Sequence, residues 1–182
     1  MAERLGPLAF HRLLNRFVTD LTDPIVAAQG EIYSYAGDEL IATWKLEEGI
    51  SQARCIMACF DALDAIARKA SGYRSDFGAA VNLRAGPDCG PVVSGEMGSE
   101  KTEIVFLGDA VNTATRIQEL CRVTGDRVLA SADLVDRLEL PPGVAKRPLG
   151  DLRLRGKGAE VALYALTKTP DAVAAMPLSA GG

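Results

Sequence analysis

Histidine is the scarcest chemically useful residue in this chain, and His11 is its single example. Nucleophilic catalysis of the Ser-His or Cys-His kind needs an imidazole beside the nucleophile, so one histidine argues against that class. The same scarcity argues against zinc, because the four cysteines, Cys55, Cys59, Cys89 and Cys121, do not fall at ligand spacing. Cys55 and Cys59 stand four residues apart in an apolar helical pattern and read as small buried hydrophobes in a reducing compartment. Positive charge is also short: 20 Lys and Arg against 24 Asp and Glu leave a net charge of −4. A nucleic-acid partner, whose phosphates are usually met by a basic surface, is therefore not expected. No apolar run reaches the ~20 residues of a membrane span. Met1–Pro7 lacks the apolar core of a secretory leader. The segment reads as cytoplasmic and without membrane contact, whether or not a larger parent is anchored.

What is present is an ordinary apolar fraction of 48% in 182 residues, enough for one domain with a real core. Leu13, Leu14, Phe17, Leu21 and Ile25 recur at helical spacing and predict a helix over residues 8–29, with Pro24 as a possible kink. Residues 31–35 and 40–44 predict a hairpin across Ala36-Gly37-Asp38, where glycine supplies the turn. A second helix is predicted over 51–70. Strands are predicted over 78–83, 91–94, 103–107 and 128–130, with a polar loop over 96–102. A third helix spans 109–122, and Ser131 caps a short helix to Leu138. Residues 149–154 and 161–166 predict a last hairpin across Gly156-Lys157-Gly158. The Ala/Pro/Gly-rich stretch 170–182 reads as a disordered tail. The order predicts an α+β sandwich of mostly antiparallel sheet with helices packed on it. One further strand ahead of Met1 would complete the βαββαβ, ferredoxin-like palm order.

Three places carry chemistry. Asp38 sits at a hairpin tip, where a free carboxylate suits a hard cation such as Mg²⁺, and where an ordinary turn aspartate is equally at home. Asn112 and Arg116 stand four apart, on one face of the third helix. Arginine offers a rigid fork to phosphate oxygens and asparagine can orient a sugar. The competing reading is a plain helix start, with Asp109 in the first turn and Arg116 paired to Glu119 or Asp109. Arg155-Gly156-Lys157-Gly158 puts two cations on a hairpin tip, either to meet a triphosphate or as a solvated turn.

Taken together and in this order, the strings Tyr35-Ala36-Gly37-Asp38-Glu39-Leu40, Gly90-Pro91-Val92-Val93-Ser94-Gly95 and Phe106-Leu107-Gly108-Asp109-Ala110-Val111-Asn112-Thr113-Ala114-Thr115-Arg116 resemble the class III adenylate/guanylate cyclase catalytic domain. The likeness runs from Leu5 to about Leu166. The first string also resembles the signature hairpin of diguanylate cyclases, whereas the third fits the class III family much better. The resemblance implies a nucleotide cyclase domain over residues 1–169. It would convert ATP, with GTP as the less favoured alternative, to the 3′,5′-cyclic monophosphate and pyrophosphate. It implies that Asp38 binds two Mg²⁺ or Mn²⁺ ions with a second aspartate, that Asn112 orients the ribose, and that Arg116 stabilises charge on the α-phosphate. Arg155 would hold the terminal phosphates, and Ser34 and Val105 would face the purine. A head-to-tail homodimer is implied, with Asp38 of one copy facing Asn112 and Arg116 of the other. Two departures stand out. The second metal aspartate belongs to a strand expected just before Met1, so the chain reads as an N-terminally shortened catalytic domain. Ser34 and Val105 match neither the adenylate nor the guanylate pattern. The alternative implied is a catalytically inactive cyclase-homology module that binds nucleotide or only dimerises.

Overall fold

A computed structural model of the chain describes residues 5–98, 103–154 and 160–169. Two compact units emerge, Met1–Arg84 and Ala85–Gly182. In the first, α1 (Pro7–Ala27) leads to the antiparallel hairpin β1 (Glu31–Ala36) and β2 (Glu39–Thr43). The short α2 (Leu46–Ile50), a 3₁₀ turn over Ser51–Ala53, α3 (Arg54–Arg68) and α4 (Ala70–Phe77) follow. α1 starts with proline in its first turn, where no N–H is needed. Pro24 stays inside the helix rather than ending it. The apolar stripe of α1 is the one its spacing predicts: Leu13, Phe17, Leu21 and Ile25 are buried with Ala62 and Ile66 of α3 and Tyr73 of α4. Each such side chain contributes roughly 1.5–3 kcal/mol of burial.

The second unit holds β3 (Val93–Met97) and β4 (Glu103–Leu107), an antiparallel pair, then α5 (Asp109–Thr124). β5 (Leu129–Ser131), α6 (Ala132–Val135), β6 (Val144–Arg153) and β7 (Glu160–Lys168) complete it. β5, β7 and β6 form an antiparallel sheet in that order. Ile117 and Cys121 of α5 pack on Leu129, Leu154, Leu163 and Ala165. Ser131 caps α6 as its sequence position predicts, its hydroxyl accepting from the Leu134 N–H at 3.4 Å. The antiparallel ladders and packed helices are those of the predicted α+β class.

Several predicted bounds move. The helix predicted over 51–70 is split: three 3₁₀ residues precede α3, and a break at Lys69 separates it from α4. Gln52 and Ala53 take φ of 54° and 51°, a left-handed pair that turns the chain before α3. The strand predicted over 78–83 is not formed. Residues 79–84 carry no regular element, and Ala85 alone makes a parallel bridge to Val128. A strand exists only beside a partner, which apolar spacing does not report. β3 runs on through Glu96 and Met97, where a polar loop was expected. The last hairpin is longer than predicted, and its turn, with Arg155, Gly156, Lys157 and Gly158, lies outside the described residues. So does the 170–182 stretch.

Candidate active site

In the first unit the residues predicted from the sequence, Ser34 and Asp38, sit on one hairpin. Ala36 pairs with Glu39, leaving Gly37 and Asp38 as a two-residue loop. Gly37 takes φ 65°, the positive value that the first loop residue of such a tight hairpin requires. Asp38 is thereby left exposed at the tip. Ser34 is half-buried on β1, opposite Ile41. The register slips between Ile32 and Ser34, placing a bulge immediately before Ser34. Such bulges re-aim the side chains beside them.

In the second unit the predicted residues Asn112 and Arg116 lie on α5. Thr113, Ile117 and Cys121 are its buried stripe, which turns Asn112 and Arg116 toward another face. Asn112 is exposed and Arg116 half-buried. Arg116 Nη1 donates to both carboxylate oxygens of Glu119, each at 3.0 Å. Of the two surface partners weighed from the sequence, Glu119 is the one it meets. The two side chains are 38% and 53% exposed, so the pair is worth only ~0–1 kcal/mol. Val105 lies on β4 opposite Gly95, three residues before the loop that starts α5.

The segment before β3 braces this helix. Ala85 donates to the Arg127 carbonyl at 2.9 Å, and Leu129 donates to the Ala85 carbonyl at 3.1 Å. At Gly86 a Cβ would lie 2.3 Å from the Gln118 nitrogen and 2.5 Å from the Ala114 carbonyl oxygen. Only glycine lets the chain cross α5 this closely. The sequence marked Gly86 as part of a turn cluster, and nothing in its local pattern signals the crossing. Nearby, burial, followed by the Asp88 charge, pushes the Cys89 thiol up, which keeps it protonated rather than nucleophilic. A groove of about 460 Å³ along α1, lined by His11, Asn15, Thr19, Asp23 and Tyr35 among others, holds none of the predicted site residues.

Among the described residues, no group of three or more His, Cys, Asp or Glu side chains is placed to hold a metal ion. Asp38 offers an exposed carboxylate at the hairpin tip. That suits Mg²⁺, which commonly takes one or two carboxylates and completes its shell with water and substrate phosphate.

Residues 1–168 match the model of the adenylate and guanylate cyclase catalytic domain. The chain belongs to this family. It is 36% identical over 92% of its length to adenylate cyclase 2 of Rhizobium meliloti (strain 1021), covering 46% of that protein. It is 26% identical over 90% of its length to an adenylate cyclase of Anabaena cylindrica, covering 33% of that protein. The chain thus spans less than half the length of these curated relatives. Among solved structures, the fold matches a bacterial light-regulated adenylyl cyclase with a TM-score of 0.78 at 22% identity, covering 93% of this chain and 49% of that one. It matches the adenylyl cyclase CyaB from P. aeruginosa with a TM-score of 0.78 at 16% identity, covering 94% of this chain and 88% of that one. The cyclase-domain fold is therefore that of the family the motifs resemble. No helix among the described residues is long and apolar enough to cross a membrane.

Proposed function

We propose that this chain is the catalytic domain of an adenylate cyclase that works as a head-to-tail homodimer in the cytoplasm. The observation that carries the reading is the pairing of Asn112 and Arg116 on one accessible face of α5 within a cyclase-family domain. In the reaction the ribose 3′-oxygen attacks the α-phosphorus in line. The hydroxyl proton leaves, the bond from the α-phosphorus to the β-phosphate bridging oxygen breaks, and pyrophosphate departs. Asn112 orients the ribose so that this oxygen is in line. Arg116 gives N–H donors to the non-bridging α-phosphate oxygens, where negative charge develops. Asp38 would hold Mg²⁺ or Mn²⁺, two ions per site, and the bound metal would favour the deprotonated 3′-oxygen and neutralise the triphosphate. Arg155 meets the terminal phosphates, an assignment that rests on its motif alone.

ATP is favoured over GTP by the 36% identity to an adenylate cyclase across most of the chain. The Ser34 hydroxyl can both donate to and accept from a purine edge, while Val105 packs against it. The homodimer is supported by the β3–β4 hairpin, whose Val93 and Leu107 are 69% and 58% exposed and directly opposite each other. An apolar hairpin face of this kind calls for a partner. One structural relative, at TM-score 0.67 and 19% identity, is a guanylyl cyclase domain described as a non-canonical dimer. A second reading, an inactive cyclase-homology module that binds nucleotide or only dimerises, is favoured by the single carboxylate that Asp38 offers to metal.

The test is cyclic nucleotide formation from ATP and from GTP, with Mn²⁺ and with Mg²⁺. The expected product is mainly cyclic AMP, and Arg116→Ala should lower turnover by roughly 10²–10³-fold, as loss of one preorganised charge-stabilising donor does. Turnover untouched by Arg116→Ala would sink the mechanism. A folded dimer that binds nucleotide without turning it over would favour the second reading.

A further inference from the structure

We propose that Glu119 is a positioning residue for Arg116 in the cyclisation step, an inference that rests on the function proposed above. Asn112, Arg116 and Glu119 fall at i, i+4 and i+7 of α5, so all three lie on one stripe of the helix. The Glu119 carboxylate takes a single nitrogen of the guanidinium, Nη1, with both oxygens at 3.0 Å. Nε and Nη2 have no partner among the described residues. A guanidinium carries its five N–H donors in a rigid plane. Fixing Nη1 therefore fixes the direction in which the Nε–Nη2 edge points. That edge is the one able to take two phosphate oxygens at once. Without Glu119, the long arginine side chain samples many rotamers, and its ordering has to be supplied in the transition state instead. Glu119 itself touches neither nucleotide nor reacting atoms, and it acts through Arg116.

The effect expected is modest because the pair is partly exposed. Glu119→Ala should lower kcat about five-fold, the factor matching ~1 kcal/mol at the upper end for such a pair. Nucleotide affinity, measured by equilibrium binding, should change less than about two-fold, since the gain is made in the transition state rather than in binding. Glu119→Gln keeps an acceptor for Nη1 and should retain most of kcat. In an Arg116→Lys background, which keeps the charge but loses the fork, Glu119→Ala should add no further loss. A structural role for Glu119 would lower the melting temperature and kcat equally in both backgrounds.

Wild-type turnover with kcat unchanged in Glu119→Ala overturns this inference and leaves the proposed function standing. Tighter nucleotide binding with raised kcat in Glu119→Ala overturns it too, because Glu119 would then be a competitor that phosphate must displace. A wild-type chain without turnover overturns the function and this inference together.

Discussion

The Tyr73 hydroxyl donates to a carboxylate oxygen of Asp20 at 2.7 Å, and the Lys69 ammonium donates to the other oxygen at 2.6 Å. Asp20 is 7% exposed and Tyr73 0%, so α1 is joined to α4 by a polar contact inside an apolar core. Removing Asp20 leaves the buried Tyr73 hydroxyl without its acceptor. Asp20→Ala should cost about 3 kcal/mol, near the low end for breaking a buried pair, since Lys69 is half exposed. Tyr73→Phe should cost ~1 kcal/mol, because Lys69 still satisfies the carboxylate. Burial, reinforced by the bond to Asp20, raises the Tyr73 pKa well above its ordinary 10.0. A folded-state pKa above the unfolded one means that the unfolded chain releases its proton first. The contribution is complete below pH 10 and declines as pH rises above it, at up to about 1.4 kcal/mol per unit. Urea unfolding between pH 8 and 11 should show this decline in the wild type and a shallower one in Tyr73→Phe. Equal slopes would refute the assignment.

Gly86 lies against the backbone of α5, and its tolerance for substitution follows from that. A Cβ 2.3 Å from the Gln118 nitrogen meets main chain, which cannot swing aside. At Gly90 the nearest atom is the Ala110 Cβ at 3.2 Å, a contact that a small shift relieves. Gly86→Ala should therefore cost roughly 1–3 kcal/mol, the range for overpacking, and Gly90→Ala distinctly less. Because the helix that moves carries Asn112 and Arg116, Gly86→Ala should also lower turnover at temperatures where it remains folded. Thermal melts of the two variants, with turnover measured well below the transition, check this order, and equal losses would contradict it.

These relationships differ in how far the amino-acid order foretells them. α5 was legible because Val111, Ala114, Ile117, Leu120 and Cys121 repeat at helical period, although of these only Ile117 and Cys121 are fully buried, and the buried Thr113 was not foreseen. The Asp38 hairpin was legible because Gly37 sits where a two-residue loop needs positive φ. Each is a local pattern. The Asp20–Tyr73 bond joins residues 53 apart in sequence, and an aspartate four residues before Pro24 reads locally as a solvated helix residue. The crossing at Gly86 and the absence of the strand predicted over 78–83 are likewise decided by what lies alongside in space. The Arg116–Glu119 pair was one of two candidates that spacing allowed, and only side-chain geometry separates them.

The β3–β4 hairpin predicts the assembly. Val93, Val105, Met97 and Leu107 lie on one of its faces by their cross-strand register, and Val93, Met97 and Leu107 are exposed. Burying these side chains against a second copy is worth on the order of 1.5–3 kcal/mol each. Leu107→Glu should weaken self-association at least tenfold, the equivalent of ~1.4 kcal/mol. Sedimentation equilibrium reads this directly. A wild type that stays monomeric at high micromolar concentration would remove the basis for the homodimer.

If the homodimer is head-to-tail, the two motif groups belong to different copies within each site. Asp38→Ala and Arg116→Ala should then each be inactive alone, yet partly restore one another when mixed. Random pairing makes half the dimers mixed, and each mixed dimer holds one site with both groups intact and one lacking both. Recovery should reach roughly a quarter of wild-type turnover, the value that two-fold symmetry dictates. Asp38 is exposed at a loop tip and Arg116 makes only a weak surface pair, so neither change should lower stability by more than about 1 kcal/mol. Failure to fold therefore does not offer another route to inactivity. Mixed variants that remain inactive while still exchanging subunits would mean that Asp38 and Arg116 serve the same copy.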